Sequence, residues 1–223
     1  MKICVYAIAK NEEQFVDRWM NSMREADDIC VLDTGSTDRT VEQLADLGVR
    51  VRQEKIRPWR FDVARNRSME LIPEDTNVCV CTDLDEILRP GWREKLERAW
   101  EPGTEQLRYT YIWSFGPDGR PGTEFLYEKI HAPGVFEWHH PVHEVLRRTD
   151  GARTWKTVTC PEIVLEHHPD PTKSRGSYLP LLRMSVHEDP EDDRNAHYLG
   201  RELMFHGLYA EAIAALKHHL EMP

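Results

Sequence analysis

Through the first hundred residues the chain alternates short apolar runs with amphipathic stretches. "KICVYAIA" (2–9) is apolar and rich in β-formers, and it predicts a buried strand. In "NEEQFVDRWMNSMRE" (11–25), Phe15, Trp19 and Met23 recur four apart, the spacing of one helix face. Asn11 is placed to cap that helix, and Glu12 and Glu13 suit its positive end. "DICVLDTG" (28–35) predicts a second strand, and "STDRTVEQLADLG" (36–48) a helix with a Ser/Thr start and a Gly stop. A third strand at "VRVRQE" (49–54), a helix at "FDVARNRSMELI" (61–72), a fourth strand at "NVCVCTDLDE" (77–86) and a helix at "GWREKLERAWE" (91–101) complete the series.

Strand and helix alternating in this way give a parallel α/β sheet with helices on its faces. Ligands of such sheets gather outside the carboxyl ends of the strands. The polar stretches "AKNE", "DTGSTD" and "TDLDE" fall there, so they form a candidate pocket. From 105 to 168 the texture turns aromatic, with turns such as "GPDGRPG", and predicts antiparallel strands and loops; six of the eleven His lie between 131 and 168. After Pro171 the chain becomes helical.

With 223 residues, 40% apolar and 30% charged, the chain suits one sizeable domain with a small appendage. The formal net charge of −10 argues against nucleic acid as a partner. It leaves an anionic substrate open, because a few Arg residues or a metal reverse the field locally. Five cysteines without a CxxC pair read as small buried hydrophobes in a reducing, cytoplasmic setting. The apolar part of the N-terminus is short for a signal peptide, and no apolar run approaches a transmembrane segment.

In "TDLDE", Asp83 and Asp85 stand two apart at a strand end, where a tight turn can aim both at a hard divalent cation. A solvated strand end or a helix cap by Asp83 or Glu86 fits the same residues. "VLDTGSTDRT" (31–40) reads as a strand, a sharp turn at Gly35 and a helix start, where Asp33 can accept from a ribose or base. An ordinary capped turn, with Ser36 or Asp38 as the cap, explains it as well. "FDVARNR" (61–67) sets Asp62 and Asn66 on one helix face and offers Arg65 to a phosphate, or to a surface ion pair.

Taken together and in this order, "AKNE", "LDTGSTDRT", "FDVARN" and "CTDLDE" resemble the nucleotide-sugar-binding half of the family 2 glycosyltransferases of GT-A fold, closely over about 1–90 and loosely over 91–170. The resemblance implies an α/β domain with a mostly parallel central sheet over 1–170. It implies an inverting glycosyltransferase that uses Mn²⁺ or Mg²⁺ and a nucleotide-diphosphate sugar, with UDP as the nucleotide. Ala7, Glu12, Asp33, Arg65, Asp83 and Leu84 then face the nucleotide sugar. Asp85 is the direct metal ligand and Asp83 the ribose contact. A late His, His167 with His168 as its rival, joins the metal. The acceptor's base is less clear: Glu144, with His143 beside it in "HHPVHEVL", departs from the commoner acidic pair. The acceptor itself, glycan, lipid-linked or peptide, is not encoded in any pattern. Trp138 and His139 read either as a stacking surface or as buried packing.

The tail, 171–223, resembles one tetratricopeptide repeat over roughly 193–223: Gly200, Gly207 and Ala212 take its small positions, and Leu199, Leu203 and Leu216 its apolar ones. One repeat cannot bury both faces. It therefore packs on the upstream helix (177–188) and the catalytic domain, or further repeats lie outside this chain. A protein partner on this segment is a further expectation. Two other readings remain: a helical-repeat interaction protein carrying an inactive sugar-nucleotide domain, and a nucleotidyltransferase, which the absence of glycine from "AIAKNEE" disfavours. A phosphohydrolase is disfavoured because Gly35 replaces the second aspartate of its nucleophile loop.

Overall fold

Ile3, Val5 and Ala7 are buried on one face of the first strand and Cys4 and Tyr6 on the other. A strand apolar on both sides belongs at the centre of a covered sheet. A computed structural model, describing residues 1–172 and 176–222, places it there. The elements in chain order are β1 (Ile3–Ala9), α1 (Val16–Met23), β2 (Asp28–Asp33), α2 (Thr40–Asp46), β3 (Arg50–Gln53), α3 (Phe61–Met69), β4 (Val78–Cys81), β5 (Glu86–Leu88), α4 (Trp92–Ala99), β6 (Gln106–Ile112), β7 (Glu124–His131), β8 (Phe136–His139), β9 (Val145–Arg148), β10 (Thr157–His167), α5 (Tyr178–Glu188), α6 (Asp193–Phe205) and α7 (Tyr209–Glu221).

Eight strands form one sheet in the order β3-β2-β1-β4-β7-β6-β10-β5, and β8 pairs with β9. The first four are parallel, as the strand–helix alternation predicts. β7 enters antiparallel between β4 and β6, and β10 runs parallel to β6. Two registers matter for the site. Glu86 of β5 lies opposite His167 of β10, and Ile112 of β6 lies opposite Glu166.

Several element boundaries differ from expectation: the helix expected from Ser36 begins at Thr40, and the one expected to reach Ile72 ends at Met69. The first helix begins at Val16 rather than Asn11. Asn11 is left-handed (φ 55°), and its Oδ1 accepts the Thr37 amide at 2.8 Å instead of capping a helix. The fourth strand ends at Cys81, and Asp83–Asp85 form a turn before β5. Phe15, Trp19 and Met23 are buried, as their spacing predicts. All five cysteines are free and buried.

The described chain divides into two compact units, 1–56 with 64–138 and 146–170, and 57–63 with 139–145 and 171–223. The core of the second unit joins Val142, Leu181 and Leu182 with Trp59, Phe61, Tyr178, Tyr198 and Leu199. Arg60 ties the 57–63 segment to α5 by pairing with Asp62 at 2.7 Å and Glu188 at 3.0 Å. Asp192 caps α6 by accepting the Asn195 amide at 2.9 Å. A Cβ on Gly200 would stand 2.6 Å from Leu216 Cγ, so α6 and α7 meet at a position where any side chain would have to displace Leu216. Met204, Phe205, Leu208, Tyr209, Ile213 and Leu220 of this hairpin stay exposed among the described residues. No helix among them is long and apolar enough to cross a membrane.

Candidate active site

The strand-end loops after β1 and β2 are bonded to each other. Ser36 Oγ accepts the Asn11 amide at 2.8 Å, Thr40 Oγ1 accepts the Glu12 amide at 2.7 Å, and Glu13 accepts the Arg39 amide at 2.8 Å. Asp33, fully buried, turns its carboxylate back on its own loop. Oδ1 accepts the Gly35 and Ser36 amides at 3.1 Å each, and Oδ2 accepts the Ser36 hydroxyl. This is the Asx-type closure that an Asp before a tight turn favours. Ala7 is buried within β1, and Leu84 is buried in the same core.

The two aspartates of the D-x-D turn have different surroundings. Asp83 is held by cations: Arg65 Nη2 lies 3.0 Å from Oδ1, and Lys129 Nζ 3.4 Å from Oδ2. Burial alone would raise the Asp83 carboxyl, but Arg65 and Lys129 outweigh it and hold it well below the ordinary range. Arg65 itself is buried, donates to Cys81 Sγ at 3.3 Å and lies 5.2 Å from the centre of the Trp138 ring. Behind the turn, Glu86 accepts the Asp83 amide at 2.8 Å, the Tyr111 hydroxyl at 2.9 Å and Lys129 Nζ at 2.8 Å. Burial opposes a charge on Lys129, but Glu86 and Asp83 keep it cationic, with its pKa well above the ordinary value. Glu86 thus braces the turn from inside.

Asp85 stands on the other side. Its Oδ2 lies 3.4 Å from His167 Nε2, and its carbonyl accepts the His168 amide at 2.8 Å. Burial lowers the His167 pKa, and Asp85 more than restores it, so the net shift is upward. His168 points elsewhere: its Nε2 bonds Glu166 at 3.0 Å, and Phe115 stacks on its ring. Of the two late histidines, then, the structure brings His167 to the aspartate. Antiparallel β5–β10 pairing puts it there, opposite Glu86.

Glu144 and His143 belong to the second unit. His143 is left-handed (φ 53°), stacks on Tyr198 at 4.0 Å, and its carbonyl accepts Arg194 Nη1 at 2.7 Å. His140 in the same segment is left-handed too (φ 79°) and lies 3.5 Å from Asp192. Two strained non-glycine residues this close mark a conformation imposed by its surroundings.

Lys129 and Trp113 were not identified from the sequence. Lys129 sits in "EFLYEKIH" between ordinary strand residues, and its only local signal is a lysine beside Ile130 and His131, whose neighbours on β4 are apolar. Trp138 is packing: its ring N–H donates to Tyr6 Oη at 2.9 Å, Tyr6 pairs with His131 Nε2 at 2.8 Å, and His131 Nδ1 lies 2.9 Å from the Ala132 carbonyl. A carbonyl only accepts, so Nδ1 carries the proton and every hydrogen in this chain is accounted for. Asn66 locks the Trp138 backbone with two bonds of 2.8 and 2.9 Å.

A family model described as Glycosyl transferase family 2 matches residues 4–145. An uncharacterized glycosyltransferase from Rickettsia bellii is 32% identical over 97 residues, 43% of this chain and 32% of that protein. A TPR repeat-containing protein from Synechococcus elongatus is 23% identical over 235 aligned residues, 99% of this chain and 57% of that protein. The chain thus spans about a third and somewhat over half of these relatives. Among solved structures, a mycobacterial protein shares the fold at a TM-score of 0.53 and 18% identity, covering 77% of this chain and 68% of its own. Glucosyl-3-phosphoglycerate synthase from Mycobacterium tuberculosis, solved with Mn²⁺ and UDP-glucose, aligns at a TM-score of 0.42 and 26% identity over 49% of this chain and 43% of that one.

Proposed function

The chain belongs to glycosyl transferase family 2, and from that premise we propose that it moves a sugar from a nucleotide-diphosphate donor, a UDP-sugar, to an acceptor hydroxyl with inversion at the anomeric carbon. The observation that carries this reading is the division of labour in one turn: Asp83 fixed by Arg65 and Lys129, and Asp85 facing His167.

Asp85 and His167 fit a divalent cation. Oδ2 and Nε2 are 3.4 Å apart, near the ~3 Å that separates cis ligands of an ion with bonds of about 2.1 Å. Among the described residues no third His, Cys, Asp or Glu joins them. Mg²⁺ and Mn²⁺ sites commonly take one or two protein ligands and leave the rest to phosphates and water, and the imidazole inclines this pair toward Mn²⁺. The ion, when bound, supplies positive charge against the leaving diphosphate.

The chain's own groups do the rest. Asp83, anionic and fixed, accepts from the donor's ribose hydroxyls, and Arg65 acts through it by setting its orientation. The loop amides and side chains around Ala7, Glu12 and Asp33 shape the base and ribose end. The acceptor oxygen attacks the anomeric carbon as the bond to the diphosphate oxygen breaks, and the acceptor's proton passes to a carboxylate, for which Glu144 is the proposed group. His143 is its proposed neighbour in that role. A glycan, a lipid-linked sugar or a peptide meets the acceptor's chemistry.

The test is a mass-spectrometric donor-hydrolysis screen over UDP-sugars with Mn²⁺ or Mg²⁺. Wild type hydrolyses one donor measurably, and Asp85→Asn lowers that rate at least a hundredfold while the fold, read by circular dichroism, stays intact. Equal rates in the two proteins would overturn the assignment.

A further inference from the structure

We propose that Trp113 is a positioning residue for His167: its carbonyl anchors Nδ1, its indole fixes the ring plane, and together they set the metal affinity of the Asp85–His167 pair. This rests on reading that pair as the metal site.

His167 Nδ1 lies 3.1 Å from the Trp113 carbonyl oxygen. A carbonyl only accepts, so Nδ1 donates to it, and the ring turned this way presents Nε2 to Asp85 Oδ2, 3.4 Å away. The indole adds a second restraint, stacking on the imidazole at 4.6 Å and 22°. Trp113 is 47% exposed, so it does little for the core. Its main ring contacts are His167 and, farther off at 6.2 Å, Tyr111.

The scaffold makes the placement rigid. Ile112 pairs with Glu166, and the next residues along each strand are Trp113 and His167. Past Trp113 the β6–β7 hairpin is closed by Trp113 N–H to Thr123 O at 2.9 Å, Gly122 N–H to Ser114 O at 2.8 Å and Gly116 N–H to Arg120 O at 2.8 Å. Phe115, two residues on, stacks on His168 at 5.1 Å and 16°. One hairpin therefore clamps two consecutive histidines, holding the first toward Asp85 while the second bonds Glu166. Outer-shell partners of this kind govern metal affinity by roughly 10- to 100-fold.

The experiment measures Mn²⁺ binding to the full chain by the electron paramagnetic resonance of free Mn²⁺, with no donor or turnover involved. Trp113→Ala weakens binding about tenfold, and Trp113→Phe, which keeps a stacking ring, stays within about threefold of wild type. Because the indole is half exposed, the melting temperature of Trp113→Ala moves by only a few degrees. Trp113→Leu gives the same reading should the alanine variant fold poorly. Asp85→Asn and His167→Gln serve as the reference, each weakening Mn²⁺ at least tenfold. If those two bind normally, the metal-site reading fails and this proposal with it. If they weaken binding while both Trp113→Ala and Trp113→Leu keep wild-type affinity, the positioning role of Trp113 is refuted alone.

Discussion

Replacing Lys129 by Met removes the cation that Glu86 and Asp83 share. Lys129 is 3% exposed and Glu86 1%. At an effective dielectric of about 20, unit charges 2.8 Å apart attract by ~6 kcal/mol, part of which the desolvation of both groups cancels. Removing one partner strands the other's charge, which costs about 3–5 kcal/mol. That is a large share of the 5–15 kcal/mol that a domain commonly has. Glu86 keeps the Asp83 amide and the Tyr111 hydroxyl as donors, so the variant is weakened rather than abolished. Burial already raises the Glu86 pKa above the ordinary value, and losing Lys129 raises it further. A carboxyl whose folded pKa lies above its unfolded one favours folding at low pH and loses that advantage as pH rises toward the folded pKa. The deficit of Lys129→Met is therefore largest at neutral pH and shrinks on acidification. Urea unfolding of wild type, Lys129→Met, Glu86→Gln and the double variant between pH 5 and 8 reads it. The double variant recovers about 2 kcal/mol or more relative to the sum of the singles. A Lys129→Met variant within 1 kcal/mol of wild type at pH 7.5, or strict additivity, would refute the reasoning.

Two further outcomes follow from the same structure, beside those given for Asp85 and Trp113. Gly200→Ala forces its Cβ against Leu216 and destabilises the helical unit by roughly 1–3 kcal/mol, which hydrogen exchange localises to α6 and α7 and a second change, Leu216→Ala, relieves. His131 is buried neutral with its pKa lowered to about 4, first because of desolvation. The unfolded chain, near pKa ~6.5, then binds more protons between these values, so about 3 kcal/mol of stability is present above pH ~6.5 and lost as pH falls toward 4. His131→Gln flattens that part of the stability–pH curve measured by thermal unfolding.

Much of the first unit was legible. The parallel half of the sheet follows from apolar runs separated by helix-period stretches, and the turn carrying Asp83 and Asp85 was expected at its strand end. Asn11 was misplaced because a residue that can cap a helix can equally bridge to another loop, and its left-handed backbone with the Thr37 bond settled the latter. Asp33 shows the same ambiguity: "DTGS" reads as a ligand site or a closed turn, and the hydrogen bonds close the turn. The helical tail was legible through Gly200, because a repeat's small positions record a close approach between two segments near in sequence.

By itself the sequence determined the alternation of elements, the family resemblance and the location of the D-x-D turn, all of which rest on local periodicity and motif order. The resemblance already set Asp85 apart from Asp83, but the partners that surround each were decided by the tertiary structure. Lys129 reaches Asp83 because β7 inserts beside β4, and His167 reaches Asp85 because β10 returns antiparallel to β5. Those partners come from distant strands, and strand order leaves no periodic trace in the residues that it brings together.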